Sequence, residues 1–335
     1  MNEYGNFIRR ADLIKNLIAR QQLDEKTAKS KPNKALVDAN KQRWLKYQEL
    51  LRDSLTARIA AANSSGGGTS GGGGNGALTT AWIAARNITD VPTINAVNTF
   101  ETNINSIVNK FHHIHFLFNG DATKNNYNFI GNSAFNLTYF GTIIHASTGI
   151  KSTSNGYFKT GYIPTTHSTL NSAHQSIYSR TSMGLAAKCV FGAYGTNNGS
   201  SIVAPFWDGS PRYAFNQNGV WTDNNQWINL PDGFTPESPL PWSDSRRFAI
   251  GSRTSSTNIE AGINNNYRAK TANMPSTLRS NSEVFGLAMN FQGTPMFYSE
   301  NEISFISQGE GLTHSEILIL NTAVDTLMTT LGINV

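Results

Sequence analysis

Glu302-Ile-Ser-Phe-Ile306 leads through Ser-Gln-Gly-Glu-Gly-Leu into Thr313-His-Ser-Glu-Ile-Leu-Ile-Leu-Asn-Thr-Ala-Val-Asp-Thr-Leu-Met-Thr-Thr-Leu-Gly332. A short strand-like run thus passes into a helix whose ends are written in its residues. Thr313 with Glu316 three positions on forms a capping box, in which each side chain serves the other's orphan backbone N–H. Ile317, Leu320, Val324, Leu327 and Leu331 recur at helical spacing and predict one buried face. Gly332 stands where a left-handed C-terminal residue is needed. Upstream lie further short apolar or alternating runs: Ile114–Phe118, Phe135–Ile144, Gly184–Tyr194, Arg247–Ser252 and Phe285–Asn290. Turn pairs Asn119-Gly120, Asn155-Gly156, Asn198-Gly199 and Asn218-Gly219 punctuate them. Helices placed before and after a run of strands, rather than alternating with them, predict a mainly β sandwich, not a parallel α/β sheet.

The chain has 335 residues, room for one sandwich with appendages. Hydrophobic residues make up 39% and charged residues only 15%, a mix suited to short strands joined by polar turns. The single Cys189 excludes an intrachain disulfide and fits assembly in a reducing cytoplasm. Its expected role is that of a small buried hydrophobe. Phe7-Ile8 is followed at once by Arg9-Arg10, so no signal-peptide core forms there. No apolar run approaches the roughly 20 residues of a membrane span, and membrane insertion is not expected. Charge is uneven: residues 1–60 hold 13 Lys/Arg against 7 Asp/Glu, a net +6, whereas the whole chain nets +5. A basic arm therefore precedes a near-neutral domain. No base-reading motif accompanies the charge, so nucleic acid is not the expected partner.

Four parts follow. Residues 1–65 are predicted to form two helices of an anchor or oligomerisation arm. Phe7, Ala11, Ile14 and Ile18 make a 4-3-4 stripe, Ser30-Lys-Pro-Asn33 interrupts it, and Val37, Asn40, Trp44, Tyr47, Leu51, Ser54 and Arg58 fall at a/d spacing. Such a stripe cannot be buried alone. A partner is required, and Phe7, Ile14, Ile18, Trp44, Tyr47 and Leu51 are the expected contacts. Residues 66–76 are a glycine-rich linker. Residues 77–111 are a helical neck, with Val97, Phe100, Ile104, Ile107 and Phe111 at 3-4-3-4 spacing and Thr89-Asp90-Val91-Pro92 supplying the helix start. That stripe serves either self-association or packing on the chain's own sandwich, and the second is favoured. Residues 112–335 are the sandwich.

Several stretches resemble, in order, a concanavalin A/laminin G-like β-sandwich module of tailed-phage virion proteins, from crAss-like and related phages. They are Ile88-Thr-Asp-Val-Pro-Thr-Ile-Asn-Ala-Val-Asn-Thr-Phe100, His115-Phe-Leu-Phe-Asn-Gly120, Ala134–Gly149, Asn155-Gly-Tyr-Phe-Lys-Thr-Gly-Tyr-Ile-Pro164, His174-Gln-Ser-Ile-Tyr-Ser-Arg-Thr181, Phe248-Ala-Ile-Gly-Ser-Arg-Thr-Ser-Ser256 and Ile303–Gly332. The resemblance covers most of residues 89–332. It implies a jelly-roll sandwich with an opening and a closing helix, and a virion building block made in the host bacterial cytoplasm. It carries no catalytic set with it, since one fold hosts many functions.

Three constellations bear on chemistry. Laminarinase-like glycosidases carry Glu-x-Asp-x-x-Glu on one strand of such a sandwich. Here Glu300 and Glu302 fit the first two places, but Phe305 stands where the proton donor of a two-carboxylate mechanism belongs, so no catalytic residue is expected. His112-His-Ile-His115 has no nearby Cys, Asp or Glu to complete a metal shell, and His167 and His174 lack a third ligand, so neither metal nor cofactor is expected. Segment 205–242 carries Trp207, Tyr213, Trp221, Trp227 and Trp242 among Asn, Asp and Pro. Aromatic walls with polar anchors suit a sugar, and these five are the candidate carbohydrate-binding residues. The expectation is a head or tail fibre or decoration protein. It is held to other virion proteins by its arm, is a homo-oligomer with a trimer favoured, and presents a lectin-like sandwich to host surface glycans. The alternatives are a purely structural virion joint and a polysaccharide-degrading glycosidase.

Overall fold

A computed structural model of the chain describes residues 76–182, 188–207, 210–218, 246–257, 259–263, 266–270 and 276–335. All fall in Gly73–Val335, one of two units into which the chain divides. The arm positions Phe7, Ile14, Ile18, Trp44, Tyr47 and Leu51 lie outside the described residues.

The described unit is mainly β, with two eight-stranded sheets and a few helices. Strands are numbered in chain order. The first sheet holds β1 (Phe111–Phe116), β3 (Ile143–His145), β4 (Ile150–Ser152), β6 (Ala173–Ser179), β10 (Arg247–Arg253), β11 (Ile259–Ile263), β12 (Asn266–Lys270) and β16 (Ile303–Gly309). Its order is β12-β11-β10-β6-β16-β4-β3, with β1 also paired to β16. The second holds β2 (Thr138–Phe140), β5 (Tyr157–Lys159), β7 (Phe191–Tyr194), β8 (Gly199–Trp207), β9 (Ser210–Asn218), β13 (Phe285–Gly286), β14 (Met289–Phe291) and β15 (Thr294–Met296). Its order is β15-β14-β7-β13-β5-β2, and β8 and β9 extend from β7 as a hairpin. The helices are α1 (Ala77–Arg86), α2 (Val91–Ile104), the single turns α3 (Ala122–Asn125) and α4 (Pro164–His167), and α5 (His314–Thr330).

The first sheet is buried on both faces, and strand alternation divides its residues between two cores. Ile177, Ala249, Ile259, Ala261, Ile303 and Ile306 meet Phe158, Val190, Phe191, Val284 and Leu287 of the other sheet's side. Ile114, Phe116, Tyr178, Phe248, Ile250 and Phe305 face the opposite way, against Trp82, Val97, Phe100, Ile317, Leu320, Val324 and Leu327 of the long helices. Ile303 and Ile306 share a face despite their odd spacing because the β16–β6 register shifts between Ile303 and Phe305. The layers are therefore helices, first sheet, second sheet.

The closing helix forms as its residues dictate. The reciprocal Thr313–Glu316 capping box is present, and Ile317, Leu320, Val324 and Leu327 are buried. Each contributes about 1.5–3 kcal/mol of burial relative to exposure. Gly332 adopts φ +67° just past the helix. The neck is shorter than its spacing predicts. Asp90 caps α2 by accepting from Thr93 N, but α2 ends at Ile104, and Phe111 opens β1. Val97, Phe100, Ile104, Ile107 and Phe111 are all buried in the core shared with α5 and the first sheet. This stripe is consumed within the chain and is not available to a second copy.

Candidate functional site

The face of the second sheet turned away from the inter-sheet core carries a row of aromatic side chains. Phe158 points into the core between the sheets, so its neighbours Tyr157 and Lys159 on β5 point away from it. Phe140 pairs with Tyr157, and Lys159 with Phe285, across adjacent strands. The rings of Phe140 and Tyr157 stack at 5.0 Å with an 11° interplanar angle. Tyr157 meets Phe285 at 5.0 Å and Tyr298 at 6.4 Å. The Lys159 ammonium lies 5.0 Å from the Phe140 ring centre and 5.6 Å from that of Phe285. Further along, Tyr194 and Phe291 stack at 5.2 Å. Phe285 is buried, while Phe140, Tyr157, Lys159 and Tyr298 are half-buried. Burial, with a smaller contribution from Tyr157, raises the Tyr298 phenol above its ordinary value. Such a face offers ring carbons for C–H contact, phenol hydroxyls and one ammonium. It is equipped to hold a ligand.

Two of the expected sugar-binding residues fall on the same sheet. Trp207 ends β8 and Tyr213 lies in β9, where the hairpin pairs Val203 with Tyr213 and Trp207 with Ser210. Trp221, Trp227 and Trp242 lie outside the described residues. The sequence did not point to Phe140, Tyr157, Phe285 or Tyr298. The available signal was the doublets Tyr139-Phe140 and Tyr157-Phe158, in which one ring must face inward and its neighbour outward.

The acids tested for glycosidase chemistry make contacts of their own. Glu302 precedes β16, pairs with Arg180 at 2.7 Å and accepts from the Thr148 hydroxyl at 2.6 Å. Glu300 is exposed and lies 3.8 Å from the Lys188 ammonium. Phe305 is fully buried on the helix side of the first sheet.

Two of the three histidines of β1, His113 and His115, are core groups, while His112 is half-buried. His113 and His115 have no exposed surface, and their rings lie 5.1 Å apart. His113 Nε2 is 2.7 Å from Gln308 Oε1, and His115 Nε2 is 3.1 Å from the Phe135 carbonyl. Burial is the main cause that lowers His113 to about 3 and His115 well below its ordinary value. His174 bonds the Glu310 carbonyl through Nδ1 at 2.5 Å and Ser307 Oγ through Nε2 at 3.1 Å. His167 Nδ1 accepts from Ile163 N at 2.9 Å. Among the described residues no group of three or more His, Cys, Asp or Glu is placed to hold a metal ion. No described helix is long and apolar enough to cross a membrane.

No protein-family model matches the chain, and no curated protein does. Among solved structures it is similar to domain 4 of AbnA, a GH43 extracellular arabinanase from Geobacillus stearothermophilus in complex with arabinotriose, at 16% identity and TM-score 0.41, over 63% of this chain and 98% of that one. It is similar to the botulinum neurotoxin serotype D binding domain at 11% identity and TM-score 0.42, over 66% of this chain and 52% of that one. The NanB sialidase of Streptococcus pneumoniae matches at 11% identity and TM-score 0.29, over 44% of this chain and 23% of that one. The chain thus spans about half of the neurotoxin domain and a quarter of the sialidase. Likenesses of this strength carry no argument about what the chain binds or does.

Proposed function

We propose that the chain is a structural protein of a tailed-phage virion, a head or tail fibre or decoration protein that presents a concanavalin A/laminin G-like jelly-roll sandwich to host surface glycans. The virion assignment rests on the ordered resemblance of residues 89–332. The display assignment rests on one arrangement. The outer face of the first sheet is covered by α1, α2 and α5, whereas the second sheet keeps half-buried Phe140, Tyr157 and Tyr298 on its outer side. A self-contained sandwich with an aromatic face, preceded by a glycine-rich run and a basic arm, suits tethered display. In this reading residues 1–65 hold the particle through Trp44 and Tyr47, with basic residues steering the docking. The sandwich binds without catalysis, and the arm rather than the neck drives any trimer.

Two experiments test the two halves. Particles assembled with a chain lacking residues 1–60 should lose the sandwich from the virion, and normal copy number would defeat the anchor. On a glycan array, the sandwich should give signals that Tyr157→Ala and Phe140→Ala diminish. Signals absent from the intact protein would leave the purely structural joint as the better reading.

A further inference from the structure

Lys159 of β5 brings a positive charge into the aromatic row of the second sheet. Its ammonium lies 5.0 Å from the Phe140 ring centre and 5.6 Å from that of Phe285, and the residue is half-buried. Ring contacts leave the three N–H donors of an ammonium without an acceptor. No carboxylate among the described residues lies within ion-pair distance of it. The two acids next to the row in sequence have other partners. Glu283, two residues before Phe285, accepts from Gly161 N at 2.6 Å. Glu300, two residues after Tyr298, lies 3.8 Å from Lys188, so that pair adds no net charge. The row itself is held by its backbone. Leu287, two residues after Phe285, has φ +61°, and Phe297, just before Tyr298, has φ +55°. Neither is glycine, so both conformations are strained and must be fixed by their surroundings. Leu287 N donates to the Val190 carbonyl at 2.7 Å, the Leu287 carbonyl accepts from Ser299 N at 2.8 Å, and the Phe297 carbonyl accepts from Cys189 N at 2.8 Å. These bonds set where Phe285 and Tyr298 stand relative to Lys159.

We propose that the sugar taken by this face is acidic, a ring that bears a carboxylate, with its carbons against Phe140 and Tyr157 and its carboxylate on the Lys159 ammonium. The inference rests on the glycan-binding reading above and names the class of glycan. A neutral sugar would use the rings and leave the ammonium without a counter-charge. A carboxylate fixed directly to a ring carbon puts its charge close beside the stacking surface, as the ammonium is close beside Phe140 and Phe285. A lysine offers a compact point charge rather than a planar fork, so it selects for charge and not for one carboxylate orientation.

The test uses the full-length chain on an array of matched pairs, each uronic-acid oligosaccharide printed beside its carboxyl-reduced, neutral form and each sialylated glycan beside its desialylated form. At an ionic strength of about 0.15 M, at least one acidic member should bind about ten-fold more tightly than its neutral mate, the worth of one hydrogen bond between charged groups. Lys159→Met should remove that difference and leave the weaker binding of the neutral form. Lys159→Arg, which keeps the charge, should retain the preference. Tyr157→Ala should weaken both members of the pair. Equal binding of acidic and neutral forms, or a preference unchanged in Lys159→Met, would overturn this inference and leave the glycan-binding face standing. Binding of sulfated sugars with no response to carboxylated ones would overturn it in the same way. Binding of no sugar at all would overturn both.

Discussion

Nε2 of His113 lies 2.7 Å from Oε1 of Gln308, its register partner across the β1–β16 pair. The amide oxygen only accepts, so the neutral ring carries its proton on Nε2. Gln308 in turn sits opposite Gln175 of β6. His113, His115 and His174 have no exposed surface, and burial lowers His113 to about 3, His174 to about 4 and His115 well below 6.5. Below pH 6.5 the unfolded chain takes up protons that the folded chain refuses. Stability is thus fully present above pH 6.5 and is lost as pH falls toward 4 and 3. Each histidine costs about 1.4 kcal/mol per pH unit in that window. Together they should remove roughly 3 kcal/mol between pH 6.5 and 5.5, less than the full slope because half of the unfolded-state rings are already charged at pH 6.5. A Tm series should fall across this interval, before most carboxylates titrate. A flat Tm from pH 7 to 5.5 would show that the rings are not neutral core groups.

Gly286 should tolerate no side chain. A Cβ built there would meet the Phe158 ring at 1.8 Å, and Phe158 is the fully buried centre of the inter-sheet core. Gly286→Ala should destabilise by about 1–3 kcal/mol or more, as overpacking does. Phe158→Leu, itself destabilising, should recover part of that loss in the double variant, giving a coupling of at least about 0.5 kcal/mol. Strict additivity in denaturant unfolding would mean that the clash is relieved elsewhere.

Cys189 should be silent in the folded protein. It is fully buried, and burial pushes its thiol up to about 12. The thiolate is the reactive form, so a thiol reagent at pH 8 should label it only at the rate of unfolding. Rapid stoichiometric labelling without denaturant would place the residue at the surface.

The closing helix was legible in its start and in its buried stripe through Leu327, whereas Leu331, expected on that stripe, caps the helix and is half-buried. A capping box, a stripe at helical spacing and a terminal glycine are local instructions, and nothing in the tertiary structure overrides them. The neck was legible only in part. Its 3-4-3-4 pattern runs on through Ile107 and Phe111, but the apolar spacing does not distinguish a continuing helix from a helix, a short turn and a strand that feed the same core. The aromatic face was not legible. Strands of three residues, such as β2 and β5, are too short to show a period of two, and Tyr157-Phe158 puts an aromatic on each side of the sheet. The tryptophans drew attention instead because they cluster in sequence, and only Trp207 and Tyr213 fall on described strands.

The sandwich should begin at α1, not at the first strand. Trp82 is fully buried on α1 and meets Phe116 of β1 edge-on at 5.6 Å. The N-terminus of α1 is held by α2: Glu101 accepts from Leu78 N at 3.0 Å and from Thr79 N at 2.8 Å. A carboxylate there satisfies two orphan donors and meets the positive end of the helix dipole. Glu101→Ala should therefore cost about 1 kcal/mol, the usual worth of an N-terminal cap. Removing α1 altogether should cost far more, since losing a buried tryptophan alone is worth about 3–5 kcal/mol. A fragment covering residues 76–335 should unfold cooperatively on heating, whereas one covering 88–335 should not fold. Equal Tm for the two fragments would mean that α1 is an appendage of the arm and not part of the sandwich.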